Sequence, residues 1–185
     1  FERLISLYAP LVCLGCGKEA DALLCPSCRA HVPMVPTRCY RCRAVTRGYV
    51  VCDGCRRHTS LRRVLVAMHY DGLAKELVHR AKYERARAGI AEMAELMIPL
   101  LPLLPDKIIF VPVPTATSRV RQRGYDQAVA LAQLLARSSG SGVVQALSRL
   151  GQAHQVGAGR KERLEHLEHA FRLVRPQRIR GAHCI

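Results

Sequence analysis

Residues 108–128 read Ile-Ile-Phe-Val-Pro-Val-Pro-Thr-Ala-Thr-Ser-Arg-Val-Arg-Gln-Arg-Gly-Tyr-Asp-Gln-Ala. Ile108 to Val113 is a short, continuously apolar run of the kind that fills a strand buried on both faces, and Pro112 and Pro114 close it. A loop carrying Arg119, Arg121 and Arg123 follows. From Gly124 to Arg137, Ala128, Leu131, Leu134 and Leu135 recur at helical spacing, and Ser138-Ser139-Gly140-Ser141-Gly142 stops the helix. Strand, loop and helix in that order predict an α/β fold with a parallel sheet. Asp126 and Gln127 suit the cap and first turn of that helix.

Upstream, Val64, Val66, Met68 and Tyr70 alternate with Leu65, Ala67 and His69, which predicts a strand over Arg62 to Tyr70, turned by Asp71-Gly72. Leu73, Leu77, Val78 and Ala81, then Ile90, Met93, Ala94 and Met97, predict two helices with Gly89 as the break. Pro99 to Pro105 ends that region. Downstream, Ser148 to Glu168 is polar, glycine-containing and basic, and reads as a mobile loop with a helical stretch near Lys161 to His169. Gly181 to Ile185 reads as the beginning of a further strand.

Ahead of all this the cysteines fall in four evenly spaced pairs: Cys13 and Cys16, Cys25 and Cys28, Cys39 and Cys42, Cys52 and Cys55. Each Cys-x-x-Cys can curl into a knuckle that aims two sulfurs at one ion, and four thiolates close a tetrahedral structural Zn2+ site. Sequential pairing puts the first four cysteines on one ion and the last four on another. A cross-brace joining first and third pairs fits the same spacing. Disulfides would require an oxidising compartment, and redox Cys-x-x-Cys motifs rarely come in fours. With few large apolar side chains, a segment of this size would draw much of its folding free energy from metal. The organisation read here is a zinc-ribbon module over residues 1–60 and an α/β domain over 61–185. Cys184 reads as a small buried hydrophobe.

Of 29 cationic residues, 24 are Arg, against 14 acidic ones, so phosphate-bearing partners are favoured. Between Arg38 and Arg63 the only acid is Asp53, and Arg41, Arg43, Arg56 and Arg57 are the candidate nucleic-acid contacts. No apolar run reaches the roughly 18 residues of a membrane span. The apolar start from Leu4 to Leu14 is flanked by Glu2 and runs into the thiols, which points to a cytoplasmic protein. Phe1 in place of Met, and Ile185 at the start of a strand, read as cut ends.

The cysteine module, Phe110-Val111-Pro112-Val113-Pro114 and Arg121-Gln122-Arg123-Gly124-Tyr125-Asp126-Gln127-Ala128 together resemble the ComF family (competence protein F, related to GntX). The resemblance continues through Leu147-Ser148-Arg149, Gln155, Arg160, Arg163 and Ala170-Phe171, and so spans nearly the whole chain. It implies a double zinc ribbon ahead of a type I phosphoribosyltransferase-like domain. That domain would bind phosphoribosyl pyrophosphate with Mg2+, in a protein of DNA uptake during natural transformation. Carried over residue by residue, Val113, Pro114, Arg119, Arg121, Arg123 and Gly124 would meet the pyrophosphate. Arg149, Gln155, Arg160 and Arg163 would act as catalytic groups on a loop that closes over the substrate.

Two departures stand out. Asp126 occupies a position where the family usually has Asn. The family's Asp-Asp-x-x-Thr-Thr-Gly motif, which holds the ribose hydroxyls and 5′-phosphate, does not occur in these 185 residues. The α/β domain is therefore expected to be incomplete at its C-terminal side, and this stretch alone is not expected to catalyse phosphoribosyl transfer. The alternative expectation is a non-catalytic zinc-ribbon protein that binds single-stranded DNA or a helicase partner of the uptake machinery.

Overall fold

The computed structural model describes residues 11–83, 87–151, 167 and 169–185. Strands β1 (Leu11–Val12) and β2 (Glu19–Ala20) form a small antiparallel pair ahead of the short helix α1 (Pro26–Ala30). A second irregular stretch leads to helix α2 (Asp53–Arg56). Helices α3 (Gly72–Tyr83) and α4 (Arg87–Met97) follow, then a 3-10 turn over Ile98–Leu103. Gly89 lies inside α4 and does not separate the two helices; residues 84–86 lie outside the described residues.

Strand β3 (Ile108–Phe110) is central in a three-stranded sheet, flanked by β4 (Gly142–Val143) and β7 (His183–Cys184). Both neighbours run parallel to it: Ile109 lies opposite Gly142 on one side and Cys184 on the other. Ile108 and Phe110 are buried, in keeping with the apolar run that predicts a doubly covered strand. Between β3 and β4 the chain forms helix α5 (Thr117–Arg123) and helix α6 (Gln127–Ser139). Strands β5 (Leu147–Arg149) and β6 (Phe171–Leu173) make a separate antiparallel pair.

Asp126 caps α6 through hydrogen bonds from the Ala128 and Val129 amides, and Gly140 ends it at φ 64°. A left-handed residue is needed there, and glycine takes it without a Cβ penalty.

Two hydrophobic clusters meet on α4. Ala94 and Met97 join Ile108, Phe110, Ala132, Leu135 and Ala136 under the sheet. Ala88, Met93 and Leu96 instead pack with Cys13, Leu23, Leu24 and Leu77, so the first cysteine segment is docked on α3 and α4.

Three expectations are corrected. The strand over Arg62 to Tyr70 reduces to a single bridge, Val50 to Arg63, flanked by the Val51 amide to Arg62 carbonyl bond at 2.9 Å. β-forming side chains need a partner ladder, and among the described residues none continues beyond that bridge. The arginine loop is the helix α5. Cys184 is exposed, as is its neighbour His183 on the opposite face of β7. Among the described residues, no helix is long and apolar enough to cross a membrane.

Leu77 is 0% exposed between α3 and the first cysteine segment. Leu77→Ala is expected to lower unfolding free energy by about 2–5 kcal/mol. Chemical denaturation monitored by circular dichroism would read this, and a loss below about 1 kcal/mol would contradict the packing described here.

Candidate metal centres and the arginine segment

The eight paired cysteines gather into two groups, Cys13, Cys16, Cys25 and Cys28, and Cys39, Cys42, Cys52 and Cys55. The pairing is sequential, not cross-braced. Within each group the sulfurs lie within 4.8 Å of one another, with Cys16 to Cys25 at 4.0 Å and Cys42 to Cys52 at 3.5 Å. A tetrahedron with Zn–S bonds of about 2.3 Å has edges near 3.8 Å, so both groups fit a zinc ion. Four thiolates leave no open coordination position, which makes the role structural. Two such groups fit a double zinc ribbon and could hold two zinc ions.

The two knuckles share a local plan. The Gly17 amide donates to the Cys13 carbonyl at 2.8 Å, and the Arg43 amide to the Cys39 carbonyl at 2.9 Å. Both donors sit in the left-handed region, Gly17 at φ 71° and Arg43 at φ 66°. For arginine that conformation costs roughly 1–2 kcal/mol, an expense the first knuckle avoids with glycine. Gly15 answers a different constraint: a Cβ there would stand 2.8 Å from Cys28 Cβ and Sγ.

Backbone amides also tune the thiols. Cys13 falls from 9.0 to about 6, chiefly through the Cys25 amide, which donates to its sulfur at 3.3 Å. Cys39 falls likewise to about 6, through the amides of Cys42 and then Cys52. Cys28 and Cys55 are pushed up to about 12, first by sharing a proton with the Cys25 and Cys52 sulfurs and then by burial. Lowered values mean that the fold's preference for the Cys13 and Cys39 thiolates is complete above pH 9 and is lost as pH falls through about 6. Raised values act oppositely: the fold favours the Cys28 and Cys55 protons, and an arriving ion must displace them.

Glu92 on α4 is a buried charged residue beside the first cysteine group that the sequence reading did not single out. It is 2% exposed and accepts from the Leu24 amide at 3.1 Å and from Arg29 Nε at 2.7 Å. Its partners lie 63 and 68 residues away, and one Glu in a helical pattern carries no local mark of that contact.

At the sheet, the expected anion segment differs from its sequence reading. Arg119, Arg121 and Arg123 sit on α5 instead of a loop. Arg119 Nη1 donates to Gln122 Oε1 at 3.0 Å and Arg123 Nη1 to Gln127 Oε1 at 2.9 Å. Gly124 does not start a helix; it ends α5 at φ 84°, with its amide bonded to the Val120 carbonyl at 2.8 Å. That amide is therefore engaged within the helix end. Val113 is exposed and Pro114 half-buried on the loop leaving β3. Asp126 ties that loop to α6, accepting from the Thr115 amide at 2.8 Å and Thr115 Oγ1 at 3.1 Å.

Arg149 lies on β5, not in a loop, with its guanidinium 5.4 Å from the centre of the Phe171 ring. Among the described residues, its buried Nε has no hydrogen-bond partner. Gln155, Arg160 and Arg163 lie outside the described residues. Arg41, Arg43, Arg56 and Arg57 are all exposed around the second cysteine group, and Arg41 donates to the His58 carbonyl.

Family models, curated proteins and solved structures give no match to this chain.

Gly15→Ala is expected to lower bound zinc from two ions per chain towards one, because the new methyl displaces Cys28. Elemental analysis of the purified protein reads the stoichiometry, and two retained ions would contradict the close approach.

Proposed function

We propose that the chain binds a phosphorylated ribose of the phosphoribosyl pyrophosphate class at the carboxyl end of β3, in a ComF-like protein of DNA uptake. The observation that carries this reading is the sheet order. The β3 chain continues through α6 to β4 on one side, while β7 adds in parallel on the other. Open parallel sheets bind ligands outside the carboxyl ends of their strands where the order switches direction.

Further support comes from the loop at that end. Asp126 holds Thr115 and the start of α6 together, so the segment between β3 and α5 is anchored at both ends. Arg119, Arg121 and Arg123 follow it directly, and guanidinium groups suit phosphate oxygens. Magnesium would enter with the pyrophosphate; among the described residues no carboxylates gather to hold it, so no step is assigned to it. In transfer, loss of pyrophosphate would leave cationic character on the sugar, and this chain's contribution would be to position the ligand and screen the leaving charge.

Calorimetric titration with phosphoribosyl pyrophosphate tests the reading. Arg123→Ala is expected to weaken binding about tenfold or more, as the loss of a charged hydrogen bond does, while leaving single-stranded DNA binding within about twofold. Equal losses for both ligands, or no binding by the parent protein, would overturn it.

A second reading rests on the second cysteine group. From Arg38 to Arg63 the only acid is Asp53, and among the described residues none of Arg41, Arg43, Arg56 and Arg57 is in an ion pair. Such a face suits a single-stranded nucleic acid backbone. Replacing the four arginines by alanine is expected to flatten the salt dependence of single-stranded DNA affinity by up to about three in log–log slope; an unchanged slope would count against the face.

A further inference from the structure

Glu92 is a buried carboxylate that neither a metal site nor the β3 loop uses directly. A charge this buried is tolerable only when its oxygens are satisfied. Glu92 Oε2 accepts from the Leu24 amide at 3.1 Å and from Arg29 Nη2 at 3.1 Å, and Oε1 from Arg29 Nε at 2.7 Å. Leu24 immediately precedes Cys25, and Arg29 immediately follows Cys28. All three donors thus flank the second cysteine pair of the first group.

The second group supplies the comparison. Its burial pattern matches that of the first and its knuckles repeat the same backbone bonds, with nine residues between its two pairs where the first group has eight. Among the described residues, however, no distant carboxylate grips its Cys52–Arg57 segment. The asymmetry is confined to α4.

We propose that Glu92 is a positioning residue for the first zinc site, holding Leu24 to Arg29 in the shape that aims Cys25 and Cys28 at the ion, so that this ion leaves more slowly than the second. The carboxylate touches no ligand atom. It acts through the backbone before Cys25 and the side chain after Cys28, as outer partners of a metal site do. Coupling of this kind is reciprocal: an ion bound at the first site strengthens the hold of α4 on the cysteine segment by the same factor.

Zinc release into excess chelator, followed with a chromogenic indicator, is expected to show two phases of one ion each in the full chain. Cys55→Ser disables the second site and should leave only the slow phase, which assigns it to the first. Glu92→Gln is expected to speed that slow phase by about ten- to a hundredfold while the fast phase stays within about twofold, and Glu92→Asp to restore part of the retention. A general loss of stability would speed both phases together. That result, or two unchanged phases, would overturn the proposal. Should Glu92→Gln lose its helical circular dichroism, Arg29→Gln, at a half-exposed side chain, removes the ion pair from the other side and is expected to act in the same direction on the slow phase alone.

Discussion

Helix α4 has to satisfy two unlike neighbours along one short stretch. Ala94 and Met97 close the apolar layer beneath β3, while Ala88, Met93 and Leu96 receive the first cysteine segment. The same face carries Glu92, whose charge is balanced by the Leu24 amide and Arg29 of that segment. Apolar contact supplies attraction without direction; the carboxylate, with its fixed donors, supplies the angle and register. A chain whose cysteine segment shifted by one residue would keep much of the buried area and lose every hydrogen bond to Glu92. The placement of the metal module relative to the sheet depends on that constraint.

Metal and core divide the labour along the chain. Around the second cysteine group the buried apolar residues are few: Cys39, Tyr49 and Val51. Tyr49 anchors its hydroxyl to the Val35 carbonyl at 2.7 Å, and the rest of the module is turns and knuckles. Four thiolates closing on one ion would substitute for the layers of side chains that such a short segment cannot assemble. Beyond residue 72 the balance reverses, and Ala94, Ala132, Leu135 and Ala136 on helices α4 and α6 pack a core against Ile108 and Phe110 of the sheet.

The legible parts of this protein are those whose signals are local. Cys-x-x-Cys pairs eight to ten residues apart announce knuckles whatever surrounds them, and Ile108 to Phe110 announces a buried strand by continuous apolarity. Asp126 marks its helix start through a side chain that reaches only two and three residues ahead. Most of the misread parts depend on partners distant in sequence; the segment from Arg119 to Arg123 is the local exception. Arg62 to Tyr70 has strand composition but lacks a neighbouring ladder beyond Arg63. Arg119 to Arg123 became a helix because Ala116 to Gly124 closes its own backbone bonds, and arginine is a good helix former. Arg149 looked like loop because its glycine- and charge-rich surroundings hid the pairing with Phe171. Nothing near Glu92 reveals Leu24 and Arg29.

The parallel pairing of β3 with β7 joins residues 109 and 184, whereas the cysteine groups close within the contiguous stretches Cys13 to Cys28 and Cys39 to Cys55. Contacts close in sequence form early because little loop entropy opposes them, and distant parallel pairings form late. A chain emerging from the ribosome therefore presents its metal modules long before the sheet can complete. In the folded chain α4 is the seam between the two, packing its Ala88, Met93 and Leu96 on the locally closed cysteine segment and its Ala94 and Met97 under the sheet that only the distant β7 completes.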